Sequence, residues 1–321
     1  MTWLVTGGAG YIGSHVVRDF QAAGVSVVVL DDLSSGLVGR VPSGVHLIKL
    51  DIRDTERVEQ ALRDNSVRGV VHLAAKKAVG ESVEQPLMYY EQNVGGVISL
   101  LTAMSGAGIE KLVYSSSAAV YGSPGVPQVN EVSETRPESP YGETKLIGEW
   151  LIKAQSHATN LKAVSLRYFN VVGAGDKTLG DTSVNNLVPL IFSALENEIS
   201  PQVFGDDYPT PDGTCIRDYI DVRDLSAAHV RAMQWLETAG VDYQVFNVGR
   251  GEGVSVKDMM QVARQATGRD FEYRVVGRRA GDQAQLVGQV GNANRDLKWE
   301  ARFGVEEMVA SAWRAWRAAH D

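Results

Sequence analysis

Tyr141 and Lys145 stand four residues apart at the head of a helical pattern announced by Ser139-Pro140, so both project from one helix face. An ammonium beside a phenol favours the phenolate. It lowers the pKa from its ordinary value of about 10 and makes the tyrosine a general acid or base. A tyrosine and lysine at this spacing are by themselves common on solvated helix faces. The pair gains weight from Ser115-Ser116-Ser117, which closes an earlier strand pattern and can bring a hydroxyl to a reacting oxygen at the carboxyl edge of a sheet.

At the start of the chain Thr6–Gly13 reads TGGAGYIG, between a strand pattern and a helical one. Gly7 and Gly10 permit a tight turn and let backbone N–H groups approach a pyrophosphate at the positive end of the helix, while Gly13 lets helix and strand pack closely. Asp31 follows Gly13 by 18 residues, at the end of the second strand, where a carboxylate can accept hydrogen bonds from an adenosine ribose. Its charge would repel a 2′-phosphate, and no arginine follows in Asp32-Leu33-Ser34-Ser35, so NAD is expected rather than NADP. Asp51-Ile52 and Leu73-Ala74-Ala75 end the third and fourth strands, where an adenine edge and a nicotinamide ribose would be met; by position alone they are equally ordinary caps and turns. Ser117, Tyr141 and Lys145 beside a nicotinamide make machinery for proton-coupled hydride transfer at a secondary alcohol, with neither a metal nor a covalent nucleophile.

The elements that must position these groups are short β-branched runs at 3–6, 25–30, 46–50, 69–73, 111–115 and 163–167, alternating with amphipathic stretches at 13–23, 55–63, 86–107 and 141–156. Near-continuous apolarity, as in VSVVVL, marks strands buried on both faces, so the fold class is α/β with a doubly wound parallel sheet. After Phe169 the pattern breaks into Gly-, Pro- and Asp-rich loops with helical pieces at 187–196, 224–237, 255–266 and 306–319. Loops of that length usually grip ligands, giving a smaller mixed C-terminal cap. The expected division is 1–168 for the cofactor and 169–321 for the substrate, with a stretch near 219–250 able to return to the first domain. The helices from Pro86 and Tyr141 either build an intersubunit bundle or simply cover the sheet.

The 321 residues are 44% hydrophobic, and 39 acidic against 31 basic residues give a net charge of −8, opposite to the basic field that nucleic acid requires. The 33 glycines are a modest excess, so their placement matters more than their number. One cysteine, Cys215, allows no intramolecular disulfide, and six scattered histidines suggest no metal site. No basic and apolar leader is visible and no apolar run approaches membrane length, so a soluble, cytoplasmic protein is expected.

GGAGYIG, Asp31, AVGES at 78–82, SSSAAVYG at 115–122, SPYGETK at 139–145, RYFN at 167–170, NNLVP at 185–189 and FGDDYPTPDGTCIRDYIDV at 204–222 together resemble UDP-glucose 4-epimerases of the extended short-chain dehydrogenase/reductase superfamily, in order and spacing over the whole chain. The resemblance implies that Tyr141 removes the sugar 4-OH proton, Lys145 anchors the nicotinamide ribose and Ser117 hydrogen-bonds the 4-oxygen. It further implies NAD contacts from Tyr11, Ile12, Asp31, Asp32, Asp51, Ile52, Lys77, Asn93 and Tyr168. UDP-sugar contacts are implied for Phe169, Asn170, Asn186, Leu187, Phe204, Arg217, Arg279 and Asp282, besides Lys77, Ser117 and Tyr141. Arg217 and Arg279 can clamp a diphosphate with forked, charge-assisted hydrogen bonds, and a homodimer through a helix bundle is implied as well.

The segment Gln283–Gln289 departs from the family pattern, with Gln283-Ala284-Gln285 where a proline is usual nearby and Gly288-Gln289 where Ala-Asp is common. Leu286 falls where some members carry a bulky tyrosine that excludes a C2 N-acetyl group, so UDP-N-acetylhexosamines are expected to fit. Ala118 and Ala119 stand where sugar-nucleotide 4,6-dehydratases carry an Asp-Glu pair, which argues against dehydration and decarboxylation. A 4-epimerase acting on a UDP-glucuronate or UDP-pentose is the nearest alternative. A non-catalytic NAD sensor is weakened because Ser117, Tyr141 and Lys145 are all present.

Overall fold

The computed structural model describes residues 1–238, 240–279 and 282–320. Fourteen strands are present among them: β1 (Thr2–Thr6), β2 (Ser26–Asp31), β3 (His46–Lys49), β4 (Val67–His72), β5 (Lys111–Ser115), β6 (Gln128–Val129), β7 (Lys162–Tyr168), β8 (Asn170–Val172), β9 (Gln202–Phe204), β10 (Ile216–Asp221), β11 (Tyr243–Val248), β12 (Gly253–Ser255), β13 (Arg274–Val276) and β14 (Gln285–Gly288). The α-helices are α1 (Tyr11–Ala22), α2 (Thr55–Asp64), α3 (Val79–Glu84), α4 (Pro86–Tyr89), α5 (Gly95–Ala107), α6 (Pro140–Ala158), α7 (Leu187–Glu196), α8 (Val222–Thr238), α9 (Val256–Thr267) and α10 (Val305–His320).

Seven parallel strands form the main sheet in the order β11-β7-β5-β4-β1-β2-β3. Successive side chains of a strand point to opposite faces, and here both faces are covered. Trp3 and Val5 of β1, with Val27 and Val29 of β2, pack into one buried cluster with α1 and α8. Leu4, Val28 and Leu30 face a second cluster under α2 and α5. This doubly wound α/β sheet is the architecture read from the sequence.

Three details differ from that reading. β11 extends the sheet by a seventh strand, pairing in parallel with β7 from Tyr243↔Ala163 to Val248↔Tyr168, and α8, which precedes it, packs on α1. The stretch from Pro86 to Ala107 is interrupted by a π-helical turn at Tyr90–Val94 between α4 and α5. The Gly- and Asp-rich region after Phe169 holds regular structure. β12-β10-β14-β6 form a sheet that β8 joins through β10, β9 pairs with β13, and α7, α9 and α10 enclose a separate core around Phe192, Met260 and Trp313. Strands of two to six residues joined to distant partners leave little local periodicity to read.

Candidate active site

The carboxyl ends of β1, β2 and β4 open onto a groove of about 220 Å³. Gly7 sits at φ +70°, and a Cβ there would lie 2.8 Å from the Ala74 amide nitrogen; a Cβ on Gly13 would lie 2.1 Å from the Gly7 carbonyl oxygen. Only glycine allows this turn. The N-cap of α1 is Gly10, with no side chain on its end and no acidic residue in the first turn, so its N–H groups face the groove open to an anion.

Second-strand geometry places the Asp31 carboxylate beside this turn. Oδ2 accepts from Ala9 N at 3.0 Å and Oδ1 from Leu33 N at 2.9 Å. Burial raises its pKa while those two amides pull it back down. Asp51 is held by Arg53, whose guanidinium keeps the carboxyl below its ordinary range. At the end of β1, Thr6 Oγ1 accepts from the Leu73 and Ala74 amides and bonds His72 Nδ1 of β4 at 2.7 Å, fixing the Leu73–Ala75 turn.

Every residue assigned to NAD from the sequence lines this groove except Asn93. Asn93 lies in the π-helical turn, 3% exposed, behind the loop. Its amide grips the Lys76 backbone in both directions, at 2.8 and 3.0 Å, and also donates to Thr144 Oγ1. A π turn aims one side chain out of register with its neighbours, which suits this job.

The groove also has a wall that sequence reasoning missed, formed by Asp181, Thr182 and Ser183 with Arg40. Tyr11 Oη donates to Gly173 O at 2.6 Å, His15 Nε2 accepts from Gly175 N at 2.9 Å, and Arg40 Nη2 donates to Gly180 O at 2.6 Å. Lys77 Nζ reaches Asp181 Oδ2 at 3.7 Å and Ser183 Oγ at 3.2 Å. The segment lies 106 to 162 residues beyond the residues it covers, and no spacing rule connects the two stretches.

At the other end of the groove Ser139 Oγ caps α6 by accepting from Gly142 N, and Pro140 opens the helix, as its sequence signal requires. Tyr141 and Lys145 both face the groove. Lys145 Nζ donates to Ser115 O at 2.8 Å, and Ser117 caps a 3₁₀ turn, Ala118–Tyr121, by accepting from Ala119 N at 3.1 Å. With its lone pair so engaged, the Ser117 O–H is left to donate.

The acidity of Tyr141 differs from the sequence expectation. Burial raises the phenol pKa above its usual value, and the hydrogen-bonding interaction with Ser117 only opposes this. Lys145 is itself pushed down to about 8 by burial, with Nζ 5.9 Å from the Tyr141 ring centre. In this arrangement the cost of burying a phenolate outweighs the Ser117 hydrogen bond.

Of the residues assigned to a UDP-sugar, Lys77 and Tyr141 line the groove, whereas Ser117 and those of the C-terminal part lie outside its lining. The Arg279 guanidinium stacks on the Phe204 ring at 3.7 Å. Arg217, on β10, donates to Gln283 O at 2.7 Å and lies 3.7 Å from Asp282. Asn186 precedes Leu187 at the head of α7 and donates to Asp181 Oδ2 at 3.1 Å, which joins this cluster to the groove wall. Asn170 opens β8 beside Tyr219. Phe169 and Leu286 share a small apolar cluster with Ala118, next to Ser117. The atypical segment is largely a regular strand, β14, on which a Cβ at Gly288 would lie 2.5 Å from the Phe169 ring. A second cleft, between the C-terminal ends of α5 and α6 and lined by Met104 and Gln155, holds none of these residues; it lies at the amino edge of β5, away from where open α/β sheets bind ligands.

Residues 3–249 match the NAD dependent epimerase/dehydratase family. A UDP-glucose 4-epimerase from Streptomyces lividans is 41% identical over 99% of this chain and 96% of its own. The chain belongs to this family. Among solved structures, a UDP-glucose 4-epimerase from Stenotrophomonas maltophila with bound NAD and formylated UDP-arabinopyranose superposes with a TM-score of 0.95 at 39% identity, covering 100% of this chain and 99% of that one. The UDP-Glc/GlcNAc 4-epimerase of Campylobacter jejuni gives 0.88 at 34%, covering 98% and 99%. The family's cofactor suits this groove on its own chemistry, through a glycine turn that admits no side chain, an open helix end for a pyrophosphate and a carboxylate for a ribose.

Proposed function

We propose that this chain is an NAD-dependent UDP-hexose 4-epimerase that interconverts UDP-galactose and UDP-glucose. The observation that carries this is one groove edged at one end by the glycine turn and Asp31 and at the other by Tyr141 and Lys145, while Ala118 and Ala119 supply no acid for dehydration. NAD, when bound, supplies the oxidant at sugar C4 and then the reductant.

The remaining work belongs to the chain. Tyr141 Oη takes the proton of the 4-hydroxyl and later returns it, the Ser117 O–H holds the 4-oxygen, and Lys145 steadies the phenolate by charge. Arg217 and Arg279 hold the diphosphate while Phe204 gives the base an aromatic face, so binding energy is placed on UDP and the hexose stays free to turn over. Residues 1–168, with the returning 219–250 stretch, hold the cofactor; the rest of 169–321 holds the UDP-sugar. Incubation of the purified protein with UDP-galactose and chromatography for UDP-glucose tests this; no product from any UDP-hexose, with NAD added, overturns it.

A second reading has its own support. Leu286, which stands where some family members carry a bulky tyrosine, packs with Phe169 and Ala118 instead, and on that reading UDP-GlcNAc is accepted too. Parallel turnover of UDP-Glc and UDP-GlcNAc checks it, and inactivity on the acetylated sugar at saturation sinks it. The working form is a homodimer in the cytoplasm. The dimer is supported by apolar side chains left exposed along α3–α6, Leu87 at 82%, Val83, Ile98 and Trp150. The compartment is supported by a lone, buried, free Cys215.

A further inference from the structure

Beneath the groove lies an ion pair that the chemistry above does not use. Glu149 and Arg167 face each other with side chains 4% and 6% exposed. Arg167 Nη2 donates to Glu149 Oε2 at 2.6 Å and Nε to Oε1 at 2.9 Å, a forked pair. Burying two charges brings little or no net stability over an apolar pair of similar shape, so its retention calls for a reason other than stability.

The contacts around the pair supply one. Ser116 Oγ donates to Glu149 Oε1 at 2.5 Å, and Arg167 Nη1 donates to Tyr121 Oη at 3.1 Å, with the guanidinium 5.0 Å from that ring. Tyr121 Oη in turn donates to Asn247 Oδ1 at 2.6 Å. Ser116 directly precedes Ser117, and Tyr121 ends the 3₁₀ turn that Ser117 caps. One ion pair therefore grips this turn before and after Ser117. Glu149 also lies on α6, one turn beyond Lys145 and two beyond Tyr141, and Arg167 directly precedes Tyr168, which lines the groove.

From this geometry we infer that the Glu149–Arg167 pair is a positioning device: it sets the Ser117 hydroxyl against the α6 face carrying Tyr141 and Lys145, and it touches no ligand itself. The inference rests on the epimerase reading above. It separates from a purely structural role because rigid placement raises the rate of the chemical step without strengthening binding, and a misplacement of about 1 Å costs on the order of 10²-fold. A core-filling role would instead lower stability and leave each folded site at full speed.

The test uses the holoenzyme. Glu149→Met combined with Arg167→Met removes both charges together and leaves neither unpaired. The expected result is normal NAD content and UDP affinity by calorimetry, with kcat down at least about tenfold at unchanged KM. Wild-type kcat, within twofold, in a variant with normal NAD content overturns the proposal. If the double variant does not fold, Ser116→Ala combined with Tyr121→Phe deletes the two hydroxyl grips, together with the Tyr121–Asn247 bond, while keeping the ion pair, and the same two outcomes decide. Ser117→Ala is run beside them. Its full activity sinks the assignment of Ser117 and this proposal together, whereas its inactivity alongside a fully active pair variant sinks this proposal alone.

Discussion

The Lys145 ammonium donates a 2.8 Å hydrogen bond to the Ser115 carbonyl oxygen, stapling α6 to the end of β5. The burial that secures this contact also lowers the lysine to about 8, because a cation is disfavoured away from water. The charge that assists Tyr141 is therefore itself lost as the pH rises through that value. Tyr141 must be ionised to act as base and is raised above its usual value, so turnover of UDP-galactose is expected to rise with pH up to about 8, where loss of the Lys145 charge cancels the further gain. Lys145→Arg, which stays charged throughout, removes that break, so its turnover keeps rising above about pH 8. A wild-type profile that rises without a break to about pH 10, the ordinary range of lysine and tyrosine, contradicts the assignment.

Tyr141→Phe removes one oxygen from a side chain that is 8% exposed and otherwise fills the same volume. The fold, NAD content and UDP affinity should survive while turnover drops by ~10²–10⁴, the range typical for loss of a general base. A variant that keeps a tenth of the wild-type rate means that another group moves the proton.

The readable parts of this molecule are those whose signals are local. The glycine turn, Asp31 at the end of β2 and the Ser139-Pro140 start of α6 each announce themselves within a few residues, and the structure places them on one groove. The groove wall at Asp181–Ser183 could not be read that way. It is defined by tethers from Tyr11, His15 and Arg40 across long sequence separations, each a single hydrogen bond to a backbone atom of residues 173–180. β14 was hidden for a related reason, since Val287 and Gly288 pair with Gln128 and Val129, about 160 residues earlier in the chain. The acidity of Tyr141 is not legible in spacing, which reveals a neighbouring charge and says nothing of the burial that raises this phenol.

Asp31 serves the protein as well as the ligand. Its two oxygens accept from Ala9 N and Leu33 N, so Asp31→Ala leaves a buried amide at the glycine turn without its partner. The expected outcome is weaker NAD, relaxed discrimination against NADP and a loss of about 1–3 kcal/mol in denaturant unfolding. Asp31→Asn keeps one acceptor and the shape, so it should recover part of the stability without restoring the charge that repels a 2′-phosphate. Unchanged NAD affinity in both variants removes Asp31 from the cofactor site.

His15 makes the groove wall sensitive to acid. Its Nδ1 faces the Tyr11 carbonyl oxygen at 2.9 Å and must carry the proton, which leaves Nε2 bare to accept from Gly175 N. Burial lowers its pKa to about 4, so the folded state holds the neutral ring where an unfolded histidine takes up a proton at about 6.5. The associated stability is present in full above about pH 6.5 and is lost as the pH falls toward 4, amounting to about 3 kcal/mol for a shift of this size. His72 and His229, also buried and lowered, act in the same direction. Unfolding free energy followed from about pH 7 to about pH 4 should therefore decline, and His15→Gln, which cannot titrate, should decline less steeply. NAD release measured over the same range should quicken in the wild type, because protonated Nε2 can no longer accept from Gly175 and the wall loses a tether. Parallel slopes for the two proteins, with release independent of pH, rule His15 out as the acid-sensitive tie.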